Sequence, residues 1–193
     1  MMNGYTGFTF ASQEEWLKCY YFFRAGFAAA WAEAAFTLGC PSSLFAMTLL
    51  IVYPAWDAVA NVIDAERSGG LGNNRMQAIN VFISGLATLA VVVALQMSNN
   101  SVLAVFGAWA ILSGLLQLGS AVGRWKRFEA PWAMVMILSG VQSAWVGAFF
   151  IWLARSPEPP LITNVAGYAA LGAIYFLISA IWMSVNDLRH PAS

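Results

Sequence analysis

The chain is short of charge and of reactive side chains. Of its 193 residues 9% are charged, one is a histidine (His190), and two are cysteines, Cys19 and Cys40. His190 stands beside Pro191 in a tail with no second ligand near it, so no metal site is expected. Cys19 and Cys40 are 21 positions apart, about 32 Å along a helix, which excludes an intrahelical disulfide. Nine basic residues against nine acidic ones leave no net charge, which argues against nucleic acid as a partner. No cofactor motif is present. Ser68-Gly69-Gly70-Leu71-Gly72-Asn73-Asn74 is glycine-rich, but it follows no strand and carries no Gly-Lys-Ser/Thr, so it reads as a flexible loop rather than a phosphate cradle. A cleavable leader is not expected either, since the first 15 residues hold Glu14 and Glu15, no basic residue and no apolar core.

Apolar sequence fills the space that charge leaves. Hydrophobic residues make up 60% of the chain, and the mean hydropathy is +0.67. A soluble domain carries roughly 25% charged and 45–50% apolar residues. The composition therefore points to an all-α integral membrane protein. A helix needs about 20 mostly apolar residues to cross the hydrocarbon core, and six stretches qualify: Cys19–Gly39, Ser42–Ile63, Met76–Met97, Val102–Val122, Trp132–Ala154 and Leu161–Val185. Alternating barrel-strand patterning is absent. Pro41 and Pro131 sit at first-turn positions, and the Pro157–Pro160 cluster separates the last two spans. Ser12-Gln13-Glu14-Glu15 has the form of a capping box, which predicts a first helix starting at Ser12 after a loosely ordered Met1–Phe10.

The domain reading is an N-terminal segment over residues 1–18, a six-helix transmembrane domain over 19–185, and a tail over 186–193. With six spans, Lys18, Arg67, Arg75, Arg124, Lys126, Arg127 and Arg189 share one side, and the other side has only Arg155. Basic residues in short loops stay inside, so both termini are expected to be cytoplasmic. Arg124, Lys126 and Arg127 read as an anchor against anionic lipid headgroups.

Short outer turns (Gly39-Cys40-Pro41-Ser42-Ser43 and Ser98-Asn99-Asn100-Ser101) organise the spans as hairpins over residues 19–63, 76–122 and 132–185. In their second helices Tyr53-Pro54-Ala55-Trp56 matches Phe106-Gly107-Ala108-Trp109 and, more loosely, Val165-Ala166-Gly167-Tyr168, which makes Trp56, Trp109 and Tyr168 equivalent. In their first helices Gly26 matches Gly85 and Gly140. Every hairpin enters from the same side, so the units are parallel repeats about the membrane normal.

Three hairpins, a Gly-Ala-aromatic-Ala signature (Gly107-Ala108-Trp109-Ala110) and this compact length resemble the HdeD-type acid-resistance membrane proteins, a family built from a short repeated membrane domain. The resemblance runs from about Phe22 onward. It implies a non-enzymatic six-helix inner-membrane protein tied to acid or envelope stress, with no catalytic residues to carry over. The family's acidic residue beyond the aromatic is missing, since the corresponding places hold Ala60-Asn61, Ser113-Gly114 and Gly172-Ala173.

The polar residues inside the spans are the candidate sites. An ionisable group near the bilayer centre costs about 2.5–3.5 kcal/mol on insertion scales, so Arg24, Glu33 and Asp57 each need an explanation. Folding the first hairpin about residues 40–41 brings Arg24 to the depth of Asp57, which suits a hydrogen-bonded ion pair. That pair reads either as a staple between helices, with snorkelling of Arg24 as a variant, or as part of an ion or proton path. Glu33 is nine residues from Arg24, on the opposite helix face. Placed near midspan, it is expected to be buried, with its pKa raised, and it reads as a proton sensor or as a neutral hydrogen-bonding group. Gln117 and Gln142 are expected to contact each other. The stripes Gly26-Ala30-Ala34 and Ser139-Ser143-Gly147 suit close helix packing, within the monomer or in a homo-oligomer. Pro54 removes the hydrogen bond to the Leu50 carbonyl and should kink its helix. The leading expectation is a non-enzymatic, HdeD-type protein. The alternative is a small transporter or channel using Glu33 and the Arg24–Asp57 pair.

Overall fold

The computed structural model describes residues 3–38, 44–128 and 132–189. They form six α-helices, with no strand among the described residues: α1 (Asn3–Leu38), α2 (Leu44–Arg67), α3 (Arg75–Ala94), α4 (Asn99–Phe128), α5 (Trp132–Leu153) and α6 (Ile162–Arg189). Five of them, α2 to α6, are long and apolar enough to cross a membrane. The first helix does not meet that standard, because Arg24 and Glu33 interrupt its apolar run. At 36 residues it is nonetheless about 54 Å long.

Helix ends depart from the sequence expectations, most clearly at the start of α1 and at the ends of α2, α4 and α6. Helix α1 passes through Ser12 from Asn3, so Ser12 does not begin it. No proline precedes Gly39, and each residue added to an established helix gains a backbone hydrogen bond. Helix α2 continues beyond Ile63 to Arg67, and α4 continues beyond Val122 to Phe128. These last turns are polar on one side, so an apolar-run criterion ends them early, yet Asp64 and Arg124 within them pair inside the bundle. The outer turn at Gly39–Ser43, with Cys40 and Pro41, the segment with Pro131, and His190 all lie outside the described residues.

Each helix packs on the next, and α6 closes the ring against α1. The most extensive seams are α4–α5, α1–α6 and α2–α3, whereas the expected hairpin pairs α1–α2, α3–α4 and α5–α6 are looser. Small residues explain the tightest seam. A Cβ added at Gly114 would sit 2.8 Å from the Gly140 carbonyl oxygen, and one added at Gly107 would sit 2.7 Å from that of Gly147. Close backbone approach of this kind gains dispersion contacts in lipid. The Ser139-Ser143-Gly147 stripe thus serves packing within the chain. By contrast Gly26 and Ala30 are exposed on the outside of the ring.

The N-terminal part of α1 and the C-terminal ends of α2, α4 and α6 meet at one end, the terminal end. There Lys18 donates to Asp187 at 2.6 Å, and the Arg67 guanidinium lies 5.0 Å from the Trp16 ring centre. At the far end the Asn100 side-chain amide donates to the carbonyls of Ala154 and Ser156. The outer surface carries large apolar side chains, including Phe23, Phe82, Leu89, Trp145 and Trp152, as lipid-facing helices require.

Candidate functional site

Polar side chains recur at helical spacing on the inward faces of the ring. On α2, Asp57, Asn61 and Asp64 fall at i, i+4 and i+7 and are all buried. On α3, Gln77 and Ser84 are buried on one face, with Asn80 between them. On α4, Ser113, Gln117, Ser120 and Arg124 continue the pattern. All of these positions lie from mid-bundle toward the terminal end, where they face α1, α5 and α6.

Arg24 of α1 and Asp57 of α2 are hydrogen-bonded as an ion pair. Asp57 Oδ2 also accepts from Asn61 Nδ2 at 3.1 Å and from the Ser84 hydroxyl at 2.8 Å. Trp109 Nε1 in turn donates to Ser84 Oγ at 3.0 Å. Arg24 donates to the Tyr20 hydroxyl at 3.0 Å, and its guanidinium lies 4.6 Å from the Phe176 ring centre. The carboxylate is therefore held from three helices, which is how an ion pair survives in a medium that penalises open charge.

A second pair lies about 10 Å nearer the terminal end, seven residues along the same face of α2. Arg124 donates to Asp64 Oδ2 at 2.7 Å and to the Tyr21 hydroxyl at 2.9 Å. Gln77 Nε2 donates to the same carboxylate oxygen at 2.8 Å. The expected lipid anchor is thus corrected for Arg124, which turns into the bundle; Lys126 is exposed, and the Arg127 side chain lies outside the described residues. Six basic residues, instead of seven, remain to bias the terminal end against Arg155.

Between the two pairs lies a cavity of about 90 Å³ with residues of all six helices in its wall. Its polar groups include Arg24, Asp57, Asn61, Asp64, Asn80 and Arg124. By volume it has room for several water molecules or one small ion, and it is well below the roughly 300 Å³ at which organic-ligand pockets begin. Met76, Gln77, Ser120 and Arg124 also line a second cavity of about 280 Å³ that reaches the Ser68–Asn74 loop. These four residues stand between the two cavities and belong to the walls of both.

That loop carries hydrogen bonds of its own. Gly69 and Gly70 have φ of +101° and +88°, values that suit glycine. Gly70 N–H donates to the Ala65 carbonyl at 2.8 Å, and the Asn74 side chain donates to the Ser68 carbonyl at 3.1 Å. On the other side, toward the far end, rings close the bundle: Trp31 lies 4.6 Å from Tyr53, Tyr53 5.6 Å from Trp109, and Trp109 6.4 Å from Tyr168. Beyond them is an apolar cavity of about 230 Å³ among Leu50, Leu103, Leu161 and their neighbours.

The structure gathers some of the sequence candidates here and disperses others. Arg24, Asp57, Trp56, Trp109, Tyr168 and Gln117 all line the inner cavity. Glu33 does not: it is exposed on the outside of α1, five residues from the helix end, so the premise of burial at midspan fails. It lies half a turn from the inward face that Arg24 occupies. Gln117 donates to the Met136 carbonyl at 3.4 Å rather than to Gln142, which is half-buried on α5. Pro54 is buried within a continuous α2, and Trp31 Nε1 donates at 2.8 Å to the Leu49 carbonyl, next to the Leu50 carbonyl that Pro54 cannot serve. Sequence reasoning missed Asp64, Gln77, Asn80 and the inward role of Arg124. The signal was available in the polar stripes at i, i+3/i+4 and i+7 on α2, α3 and α4.

Compared with family models, curated proteins and solved structures, the chain matches none.

Proposed function

We propose that the chain is a small carrier or channel that admits a small polar solute or ion from its terminal end into the inner cavity. The observation that carries this reading is a polar cavity between two intramembrane Arg–Asp pairs, backed by a layer of aromatic rings. A protein that needed only helix–helix staples would gain nothing from the space between them, and in lipid each charge is costly. The reading extends to six crossings in a bacterial inner membrane, as the HdeD-type resemblance implies, with both termini cytoplasmic because basic residues gather at the terminal end. It takes the alternation of tight and loose seams around the ring as the trace of three repeated hairpins. The HdeD-type stress role is a second reading. One observation favours it: Gly26 and Ala30 stay exposed on α1, leaving a narrow face for a second copy of the chain.

The test is access. Cys19 and Cys40 are replaced by serine, and Ser120→Cys is probed in oriented vesicles with a membrane-impermeant thiol reagent. Ser120 borders both cavities and should react from the terminal side, whereas Leu103→Cys, beyond the rings, should not. A Ser120→Cys chain that stays unlabelled, while Asn73→Cys on the loop reacts, removes the carrier reading. Labelling of Asn73→Cys from outside intact cells would overturn the orientation.

A further inference from the structure

Within the cavity just described, three buried polar atoms lack a partner, and each of them can accept a hydrogen bond. The Asp64 side chain is almost wholly buried, at 2% exposure, yet only its Oδ2 has partners. Asp64 Oδ1 is buried with no hydrogen-bond partner, and so are Asn80 Oδ1 and Ser113 Oγ. All three residues belong to the wall of the same cavity, and they come from α2, α3 and α4. A buried carboxylate oxygen without a donor is among the costliest states a polar group can occupy.

The rest of the wall favours positive charge. Tyr20, Tyr53, Trp56, Trp109, Tyr168 and Phe176 line it, and ring faces attract cations. Two of these rings already hold one, since Arg24 lies 4.6 Å from the Phe176 centre and 5.7 Å from that of Tyr20. The two arginines and two aspartates cancel, so an entering cation meets no net positive wall. An anion finds the opposite situation, because both guanidiniums are engaged with carboxylates and tyrosines. A divalent metal site is not supported, as no group of three His, Cys, Asp or Glu side chains gathers among the described residues.

We propose that the cavity binds a small ammonium ion, ammonium itself or methylammonium, whose N–H groups donate to Asp64 Oδ1, Asn80 Oδ1 and Ser113 Oγ. The proposal rests on the reading of the cavity as a solute site and names the class of solute. Selectivity comes from two features. The open oxygens accept from N–H groups, which a quaternary ammonium lacks, and the volume of about 90 Å³ excludes large organic cations.

The experiment is thermal unfolding of the purified full chain in detergent, titrated at constant ionic strength with methylammonium chloride, sodium chloride or tetramethylammonium chloride. Methylammonium should raise the midpoint saturably, and tetramethylammonium should not, since it carries the charge without a donor; a larger response to sodium than to methylammonium would make the site one for an alkali metal and overturn the ligand class. Asn80→Leu removes an open acceptor and leaves both ion pairs in place; it should weaken the apparent affinity about tenfold, the equivalent of one lost hydrogen bond to a charged group. Ser113→Ala should weaken it by a few-fold, and it carries the test if Asn80→Leu does not fold. No saturable response to methylammonium, an equal response to tetramethylammonium, or unchanged affinity in the folded variant overturns the proposal. Labelling of Ser120→Cys separates the failures. If that cysteine reacts and methylammonium does nothing, the cavity is open and the ligand class is wrong; if it does not react, both readings fall.

Discussion

Along one face of α2 the far half buries Ala46, Leu50 and Pro54, whereas the terminal half buries Asp57, Asn61 and Asp64. Helix α3 repeats the contrast in the opposite direction, with Gln77 and Ser84 buried near the terminal end and Ala87, Val91 and Ala94 buried beyond them. Both halves sit in the same ring of helices, yet different forces hold them. In the far half, Trp31, Val91, Leu103, Phe106 and Phe150 pack without net charge, and the cavity of about 230 Å³ beside them is lined mainly by apolar side chains. In the terminal half, ion pairs and their hydrogen bonds link α1, α2, α3 and α4 around a void. The contrast shows that inward-facing position alone does not decide chemistry in a membrane bundle. Polar groups are tolerated at depth where three or more helices converge to satisfy them.

The largest effects should come from breaking one partner of a pair. Arg24→Leu is expected to cost about 3–5 kcal/mol, because Asp57 is left charged and uncompensated. Adding Asp57→Leu should recover most of the loss, and Arg124→Leu with Asp64→Leu should behave the same way. Denaturant titration in mixed micelles reads these values, and a double variant as unstable as the sum of its singles would show that the residues are not partners. The far half should answer differently. Leu103→Ala is expected to lose about 2–5 kcal/mol by leaving a void, and Val91→Ala added to it should deepen the loss. Recovery in that double variant would erase the distinction between the halves.

The boundary between the halves is the ring layer, and Trp109 ties it to the polar network through Ser84. Trp109→Phe keeps the ring and removes that donor, so a loss of about 1 kcal/mol is expected from the same titration. A loss above about 3 kcal/mol would mean that packing of the indole, rather than its hydrogen bond, dominates there.

Outside the bundle core the effects should be smaller and sensitive to pH. Burial, and after it the nearby Asp187 carboxylate, raises the Glu14 carboxyl above its ordinary value. A carboxyl raised in the folded state is relatively stabilising while neutral, and that contribution is lost as pH rises through the folded value. Glu14→Gln should therefore stabilise the protein near neutral pH by less than about 1 kcal/mol, given solvent screening, and do nothing below the unfolded value of 4.5. Melting curves at pH 4 and pH 7 measure the difference; equal gains at both would reject the assignment. Glu33→Gln should be smallest of all, within about 0.5 kcal/mol, because Glu33 is exposed only five residues from the end of α1. A clear pH-dependent shift would return Glu33 to the list of functional residues.

The apolar runs by themselves dictate helices, since a backbone in lipid must satisfy its own hydrogen bonds. They also settle the membrane class and, through the close spacing of the first two spans, the depth at which Arg24 meets Asp57. The hydropathy windows hid Asp64 and Arg124 by ending α2 and α4 where polar residues begin, which made two buried partners look like loop residues. Glu33 was misplaced for a related reason: depth along a helix can be counted in sequence, but the direction a face takes depends on which neighbour it packs against. Glycines at 107, 114, 140 and 147 draw α4 and α5 together, and the ring that results turns the polar stripes of α2, α3 and α4 toward one another. Only that closure makes a cavity. Each stripe taken singly is a modest amphipathic pattern, and the energy that keeps charges in the membrane arises between helices rather than within any of them.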